Sequence, residues 1–154
     1  MLTHRLRKDA GGALIELAFV LPVFLLLVIG AAEFGRLAYI SIEVSNAARA
    51  AVAYGAQNHE TAIDNTGMTN AAKYDALNIT DLTVNPGYSC YCYNGTTTSS
   101  VACSSAAASC VSGNDQIMVN VQVSTAAAVN TLFNYPGIPT TFTLRGFASM
   151  AVEQ

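Results

Sequence analysis

The sequence predicts an α+β protein in which a long N-terminal membrane-spanning helix packs, at its distal half, on a small antiparallel sheet. The first observation is a stretch from Ala13 to Ala32 that is apolar except for Glu16 and Pro22. The second is a helical spacing of apolar residues that continues beyond this stretch. The third is a strict alternation of apolar and polar residues near the C-terminus, which is typical of strands with one buried face.

Composition excludes several classes of function. The chain has 154 residues, about one domain, and only 11% are charged, against a usual share of about 25%. With 7 basic and 10 acidic residues and a net charge of −3, it has no basic face for nucleic acid. Its histidines are His4 and His59, too few for a histidine-based catalytic or metal cluster. We therefore expect neither an enzyme nor a bound cofactor or metal.

The apolar stretch from Ala13 to Ala32 has the length of a membrane span. At about 1.5 Å per residue it covers a hydrocarbon core of roughly 30 Å, and it exceeds the apolar core of a cleaved secretory signal, which is about 7–15 residues. Arg5, Arg7 and Lys8 precede it, and few basic residues follow. The positive-inside rule predicts a single-pass protein with a cytoplasmic N-terminus and a head, 58–154, in the periplasm or outside the cell.

Four polar or helix-breaking residues mark this span. Glu16 costs about 2.5 kcal/mol or more inside an apolar span unless it is paired or lies in the headgroup zone, so it calls for a partner. Pro22 removes a backbone hydrogen bond and is expected to kink the helix. Glu33, with Arg36 three positions later, marks the outer boundary of the span, where we expect solvation to be its main role.

The helical pattern extends past the span. One apolar stripe is spaced at intervals of three and four residues, and it consists of Leu37, Ile40, Val44, Ala47, Ala51 and Tyr54. Ser41, Ser45, Asn46 and Arg49 lie off the stripe. The sequence therefore predicts one helix from about Ala13 to Ala56, roughly 65 Å long, whose distal half covers the head.

The head is predicted to contain short elements joined by turns. The alternation of Ile117, Val119, Val121 and Val123 with polar residues predicts one strand, and Phe142 to Glu153 predicts the closing strand. The other predicted elements are a helix at Thr69–Leu77, strands at Leu82–Val84 and Tyr88–Tyr93 separated by a Pro86-Gly87 turn, a short helix at Thr125–Phe133 and turn chemistry at Asn134–Pro139.

Four cysteines lie in and beside a segment that is unable to bury a core. Of the 21 residues from Asn94 to Asn114, 17 are Gly, Ser, Thr, Ala or Asn. On a strand, Cys90 and Cys92 share one face about 7 Å apart, too far to bond to each other, so each is expected to reach into the loop 90–114. Two connectivities remain: Cys90 to Cys103 with Cys92 to Cys110, or Cys90 to Cys110 with Cys92 to Cys103. A four-cysteine metal site is disfavoured by the Cys-x-Cys spacing and an oxidising compartment.

The N-terminal residues resemble a known class. A basic leader precedes Gly11-Gly12-Ala13-Leu14-Ile15-Glu16, the layout of prepilins of the type IV class, with a glycine, four residues and a glutamate. The run from Gly12 to Tyr39, with Leu21-Pro22 and Glu33-Phe34-Gly35-Arg36, and then Asn46-Ala47-Ala48-Arg49, is similar to the TadE-like family of minor pilins or pseudopilins of the bacterial tight-adherence pilus. The closing strand is similar to that family too.

This resemblance implies a function and partners. A prepilin peptidase would cut between Gly11 and Gly12, which separates the leader 1–11 from the helix 12–57. Glu16 would then act in charge pairing during assembly, and the partners would be other pilin subunits, the pilus assembly or secretion machinery and the inner membrane. Two alternatives stay open: a single-pass anchor for a periplasmic binding module unrelated to pili, and a thiol oxidoreductase that uses Cys90 and Cys92. Tyr91 and Tyr93, beside the disulfide-tied loop, are expected to be exposed and would suit a contact surface.

Overall fold

The N-terminal helix, α1, runs from Leu6 to Gly55 without interruption. The computed structural model describes residues 6–111, 116–133 and 136–152, with side chains from Gly11 onward. Parts of the predicted leader, the loop, the turn at Asn134 and the end of the closing strand therefore lie outside the described residues. Pro22 lies within the helix, and a kink there stays a prediction. By compactness the chain divides into two units, Met1–Ala38 and Tyr39–Gln154.

In the second unit, one face of α1 is buried. Val44, Ala47 and Ala51 are fully buried, and Ile40 and Tyr54 pack against the same cluster. The predicted stripe is thus confirmed. The buried face also includes Ala48 and Val52. It is therefore wider than a stripe with one residue every three or four positions, as is typical of a helix that packs on a core.

Two short helices follow α1 where the sequence predicted a loop and one helix. Helix α2 is His59–Ile63, and it begins with a reciprocal cap: the Asn58 side chain accepts from the Thr61 amide, and the Thr61 side chain accepts from the Asn58 amide. Helix α3 is Asn65–Asp75, so the predicted bounds Thr69–Leu77 were too late at both ends. Its Asp64 cap accounts for the earlier start, since Asp64 accepts from the Gly67 amide at 2.9 Å.

Four strands of the described residues form one antiparallel sheet in the order β2-β1-β3-β4. They are β1 Thr83–Tyr93, β2 Thr98–Val101, β3 Gln116–Asn130 and β4 Thr141–Ala151. A single-turn helix, α4, spans Ala106–Ser109. The predicted fold class, a long N-terminal helix on a small antiparallel sheet, is confirmed.

Two predicted features of the sheet were wrong. Thr125–Phe133 is not a short helix, because β3 continues to Asn130 with Thr125, Ala127 and Val129 buried in strand alternation. Pro86-Gly87 is not a turn, since both residues pair with β3 inside β1. Strand β2 pairs only with Cys90–Tyr93, so Pro86 lies where β1 has an open side, which tolerates the missing N–H.

Helix α1 and the sheet lie in close contact at Gly146. A Cβ there would lie 2.6 Å from the Val44 carbonyl oxygen and 2.6 Å from Thr125 Oγ1, so only glycine fits without a shift. At the same point the buried Thr125 hydroxyl donates to the Val44 carbonyl at 2.7 Å. These backbone-level contacts fix the position of the Tyr39–Gly55 segment on the sheet.

Candidate functional site

The apolar N-terminal part of α1 is not covered by other described residues of the chain. From Gly11 to Ile29 every residue is exposed, including large side chains such as Phe19 and Leu26. By length and composition the described helix from Gly11 can cross a membrane, and none of its most apolar window is buried. An apolar surface of this size requires lipid or other protein around it.

Glu16 lies on this apolar surface. Its side chain is exposed, one helical turn after Gly12. The ion pair recorded among the described side chains joins Arg36 and Glu33 and does not include Glu16. The geometry therefore leaves the Glu16 carboxylate directed outward, where a charged group of a neighbouring molecule can reach it.

Glu33 and Arg36 form an ion pair within the helix. Arg36 Nη2 donates to Glu33 Oε1 at 3.0 Å, and Glu33 is only 8% exposed. The expectation that Glu33 is mainly solvated was wrong. The pair forms because side chains three residues apart lie on one side of a helix.

Two disulfides fasten the loop to β1. They join Cys90 to Cys103 and Cys92 to Cys110, with Cα–Cα distances of 5.1 and 5.5 Å. This is the first of the two predicted connectivities. Both strand cysteines are buried on the face that packs towards the core, so the bonds lie beneath the loop. All four sulfurs are bonded in these two disulfides.

The loop holds more structure than its composition indicated. Asn94–Thr97 turns β1 into β2, with Gly95 at φ +90° and the Asn94 side chain accepting from the amides of Thr96 and Thr97. Asn-Gly is a strong hairpin signal that the sequence analysis missed. Beyond β2, a 3-10 turn at Cys103–Ser105 runs into α4.

Tyr91 and Tyr93 do not form the expected exposed surface. Tyr91 and Tyr93 are half-buried, and the Tyr93 hydroxyl donates to the Gly95 carbonyl at 2.9 Å. The prominent exposed aromatic of the sheet is Phe147 on β4, at 65% exposure. Phe147 lies at an odd position of β4, on the face opposite to Phe142, Leu144 and Ala148, as the alternation of the strand requires.

The end of α1 is tied to α3 by a charged hydrogen bond. The Tyr54 hydroxyl donates to Asp64 Oδ2 at 2.9 Å. The Gly67 amide and this hydroxyl stabilise the carboxylate and lower the pKa of Asp64, while the hydrogen bond to Asp64 raises the pKa of Tyr54. This network joins the end of α1 to the first turn of α3.

An open depression lies beside the disulfides. Its volume is about 690 Å³, and its walls include His59, Ala106 and Ile117 as well as three of the bonded cysteines, Cys90, Cys103 and Cys110. In the described part of the chain, no group of three or more His, Cys, Asp or Glu side chains is placed to hold a metal. The depression therefore offers apolar side chains, the imidazole of His59 and the amide of Gln116.

Comparison with known proteins identifies the N-terminal region. The family of TadE-like proteins matches residues 11–53, which begin at the predicted cleavage site and include the buried face of α1 up to Val52. This match confirms the resemblance to the TadE-like family, and it does not extend to the sheet. No curated protein and no solved structure matches the chain.

Proposed function

We propose that the chain is a non-enzymatic, pilin-like structural subunit, a minor pilin or pseudopilin, of a bacterial tight-adherence or type IV-like pilus, assembled through α1. The TadE-like match suggests a protein associated with the Tad pilus. The observation that carries the proposal is that this match contains the whole uncovered apolar surface of α1.

The apolar surface of α1 suits both the membrane-inserted and the assembled state of a pilin. In a membrane, the exposed side chains from Leu14 to Ile29 face lipid. In a filament, the same side chains would face the helices of neighbouring subunits, which replace lipid by protein at little cost in hydrophobic free energy. A prepilin peptidase would cut between Gly11 and Gly12 at the cytoplasmic side, and the head would lie in the periplasm before assembly.

Glu16 would set the register between subunits. After cleavage, the new amino group of Gly12 and the Glu16 carboxylate lie a little over one helical turn apart, so the carboxylate can pair with its own terminus or with a neighbour's. In a medium of low dielectric constant, a mispaired charge costs several kcal/mol. A pair between neighbours would therefore select one axial position of each helix against the next.

The test is Glu16→Gln in the native bacterium. The variant keeps the shape and removes the charge, so we expect normal membrane insertion and normal leader cleavage but impaired incorporation into sheared pili or the assembly machinery. Glu60→Gln is the control, because Glu60 is an exposed carboxylate in the first turn of α2. Incorporation of Glu16→Gln at the level of Glu60→Gln would refute the pairing role.

A plain membrane anchor for a binding module predicts a different result. An anchor would keep its leader, whereas the proposed subunit begins at Gly12 in a wild-type host and retains its leader in a strain without prepilin peptidase. The intact mass from both strains decides between them. Equal masses in the two strains would overturn the pilin proposal.

A further inference from the structure

The connection between β3 and β4 forms an apolar tip of the sheet. We call its described residues, 131–133 and 136–140, the β3–β4 tip. Its large apolar side chains are about half exposed or more: Leu132 at 60%, Phe133 at 50% and Ile138 at 49%. The sequence has no charged residue between Asp115 and Arg145. An uncharged group of exposed apolar side chains is suited to contact with lipid or with another apolar surface.

The hairpin between β1 and β2 has the opposite character. The chain turns there at Asn94-Gly95-Thr96-Thr97, which are all exposed and include no apolar side chain. This turn follows the pairing of Tyr93 with Gln116, at the start of β3. The β3–β4 tip follows Asn130, at the end of β3. The sheet therefore carries a polar tip and an apolar tip at opposite ends.

The packing of α1 shows which tip lies towards its N-terminus. The Thr125 hydroxyl donates to the Val44 carbonyl, whereas Gly55 lies at Val121. The Tyr39–Gly55 segment therefore runs opposite to β3. Towards the start of this segment, the sheet leads to the end of β3 and so to the apolar tip, while the polar tip lies at the other end.

The strands carry the β3–β4 tip past the start of the segment. From Thr125 to Asn130, β3 rises about 17 Å. From Val44 back to Tyr39, α1 covers about 8 Å. The end of β3 therefore extends about 9 Å beyond Tyr39, and the tip follows it. The predicted span ends at Ala32, and α1 is helical from there to Tyr39, a length of about 10 Å.

We propose that the β3–β4 tip is a second membrane contact, which lies in the headgroup region on the outer side of the bilayer that α1 spans. The contact surface is lipid, because only the apolar tip is displaced towards the apolar part of α1 and its reach matches the length of helix that leads to the span. This inference rests on the membrane insertion of α1 proposed above, and not on assembly into a pilus. It gives every copy the same orientation on the membrane.

The backbone of the tip limits how deeply it enters. The base of the tip is closed, since the Thr131 amide donates to the Thr140 carbonyl at 2.9 Å, and Gly137 turns the chain at φ +84°. Turn residues have N–H and C=O groups outside the ladder, and such groups are not tolerated against hydrocarbon. Large apolar side chains at the headgroup boundary are, by contrast, a common means of binding to the interface. The side chains therefore enter the interface while the backbone stays among the headgroups.

Quenching by spin-labelled lipid tests the contact. The full chain is placed in nanodiscs of phosphatidylcholine and phosphatidylglycerol, and a nitrobenzoxadiazole fluorophore is attached to one added cysteine. Ile138→Cys labels the tip, Thr96→Cys labels the polar tip as the matched control, and Leu26→Cys labels the span. We expect a nitroxide at the headgroup to quench the Ile138→Cys label about twofold or more above the Thr96→Cys label. A nitroxide at the end of the acyl chain should quench the Leu26→Cys label.

A charge placed in the tip gives an independent check. Phe133→Asp, added to the chain labelled at Ile138→Cys, should lower headgroup quenching about twofold or more, because a carboxylate opposes entry into the interface. Phe147→Asp is the control and should leave the quenching unchanged, since Phe147 is exposed on β4 but lies away from the tip.

The outcomes separate the tip from the span. Equal quenching of the Ile138→Cys and Thr96→Cys labels, with Leu26→Cys quenched, would overturn the tip contact and leave the span in place. Equal quenching in Phe133→Asp and Phe147→Asp would overturn it as well, as would an Ile138→Cys label shielded from both lipid nitroxides and aqueous iodide, which would place the tip against protein. If no position is quenched, the insertion of α1 fails, and this inference fails with it.

Discussion

Gly146→Ala is expected to loosen α1 from the sheet. The added Cβ would lie 2.6 Å from the Val44 carbonyl oxygen and 2.9 Å from the Ser45 Cα, both backbone atoms that no side-chain rotation can move. Overpacking of this kind costs about 1–3 kcal/mol. The lower conformational entropy of the unfolded chain with alanine offsets about 0.4–1 kcal/mol of that loss. We therefore expect a net loss of about 1–2 kcal/mol in the free energy of unfolding.

Gly87→Ala is the matched control. Gly87 also lies within a strand of the same sheet, but the nearest atoms to an added Cβ are 4.0 Å away, on Gln122. Its stability should stay the same or rise slightly, because only the unfolded-state effect remains.

The assay is urea unfolding of the full chain in detergent, followed by tyrosine fluorescence, since the chain has 7 tyrosines and no tryptophan. We expect the Gly146→Ala midpoint to fall by about 0.5–1 M. If the midpoints of Gly146→Ala and Gly87→Ala coincide, the close contact between α1 and the sheet does not limit stability, and the reasoning fails.

Three further perturbations follow from the head. Thr125→Val should cost about 1 kcal/mol by removing the buried hydrogen bond to the helix, while the same change at the exposed Thr143 should stay within about 0.5 kcal/mol; urea midpoints of the two variants check this. Replacing Cys92 and Cys110 together by alanine should cost about 2–4 kcal/mol, and limited proteolysis should then cut the loop first; a loop that stays resistant would contradict the role of the disulfide. Because the pKa of Asp64 is lowered in the folded state, its stabilisation is complete above the ordinary aspartate pKa of about 4 and is lost as the pH falls through the folded value. Asp64→Asn should therefore reduce the dependence of stability on pH below about 4, as measured by unfolding at a series of pH values, and an unchanged pH profile would exclude this contribution.

Periodicity predicted the large elements correctly. The stripe containing Val44, Ala47 and Ala51 was read from spacing alone, because a helix on a sheet buries one face whatever it packs against. The alternation of Val119, Val121 and Val123 gave a strand for the same kind of reason. Both patterns succeed because the spacing of apolar residues depends only on which side of the helix or strand is buried.

The errors arose where tertiary context overrides local preference. Three successive alanines after Thr125 favour a helix in isolation, but all three pair with β4, and the first of them also pairs with β1, which keeps them in β3. Pro86-Gly87 has the composition of a turn, yet an open strand side accommodates it. The contact between Gly146 and Val44 was beyond prediction, since a close approach of two backbones depends on how the layers pack.

The alignment of α1 with the strands has a mechanical consequence. The Tyr39–Gly55 segment lies along β3 and β4, so tension applied along this segment acts parallel to the strands. Its contacts with the sheet, from Thr125 to Val121, are then loaded in shear and all at once, instead of being peeled apart one by one. The segment then separates from the sheet only at the unfolding rate of the whole contact. We therefore expect the sheet to retain the Tyr39–Gly55 segment under sustained tension.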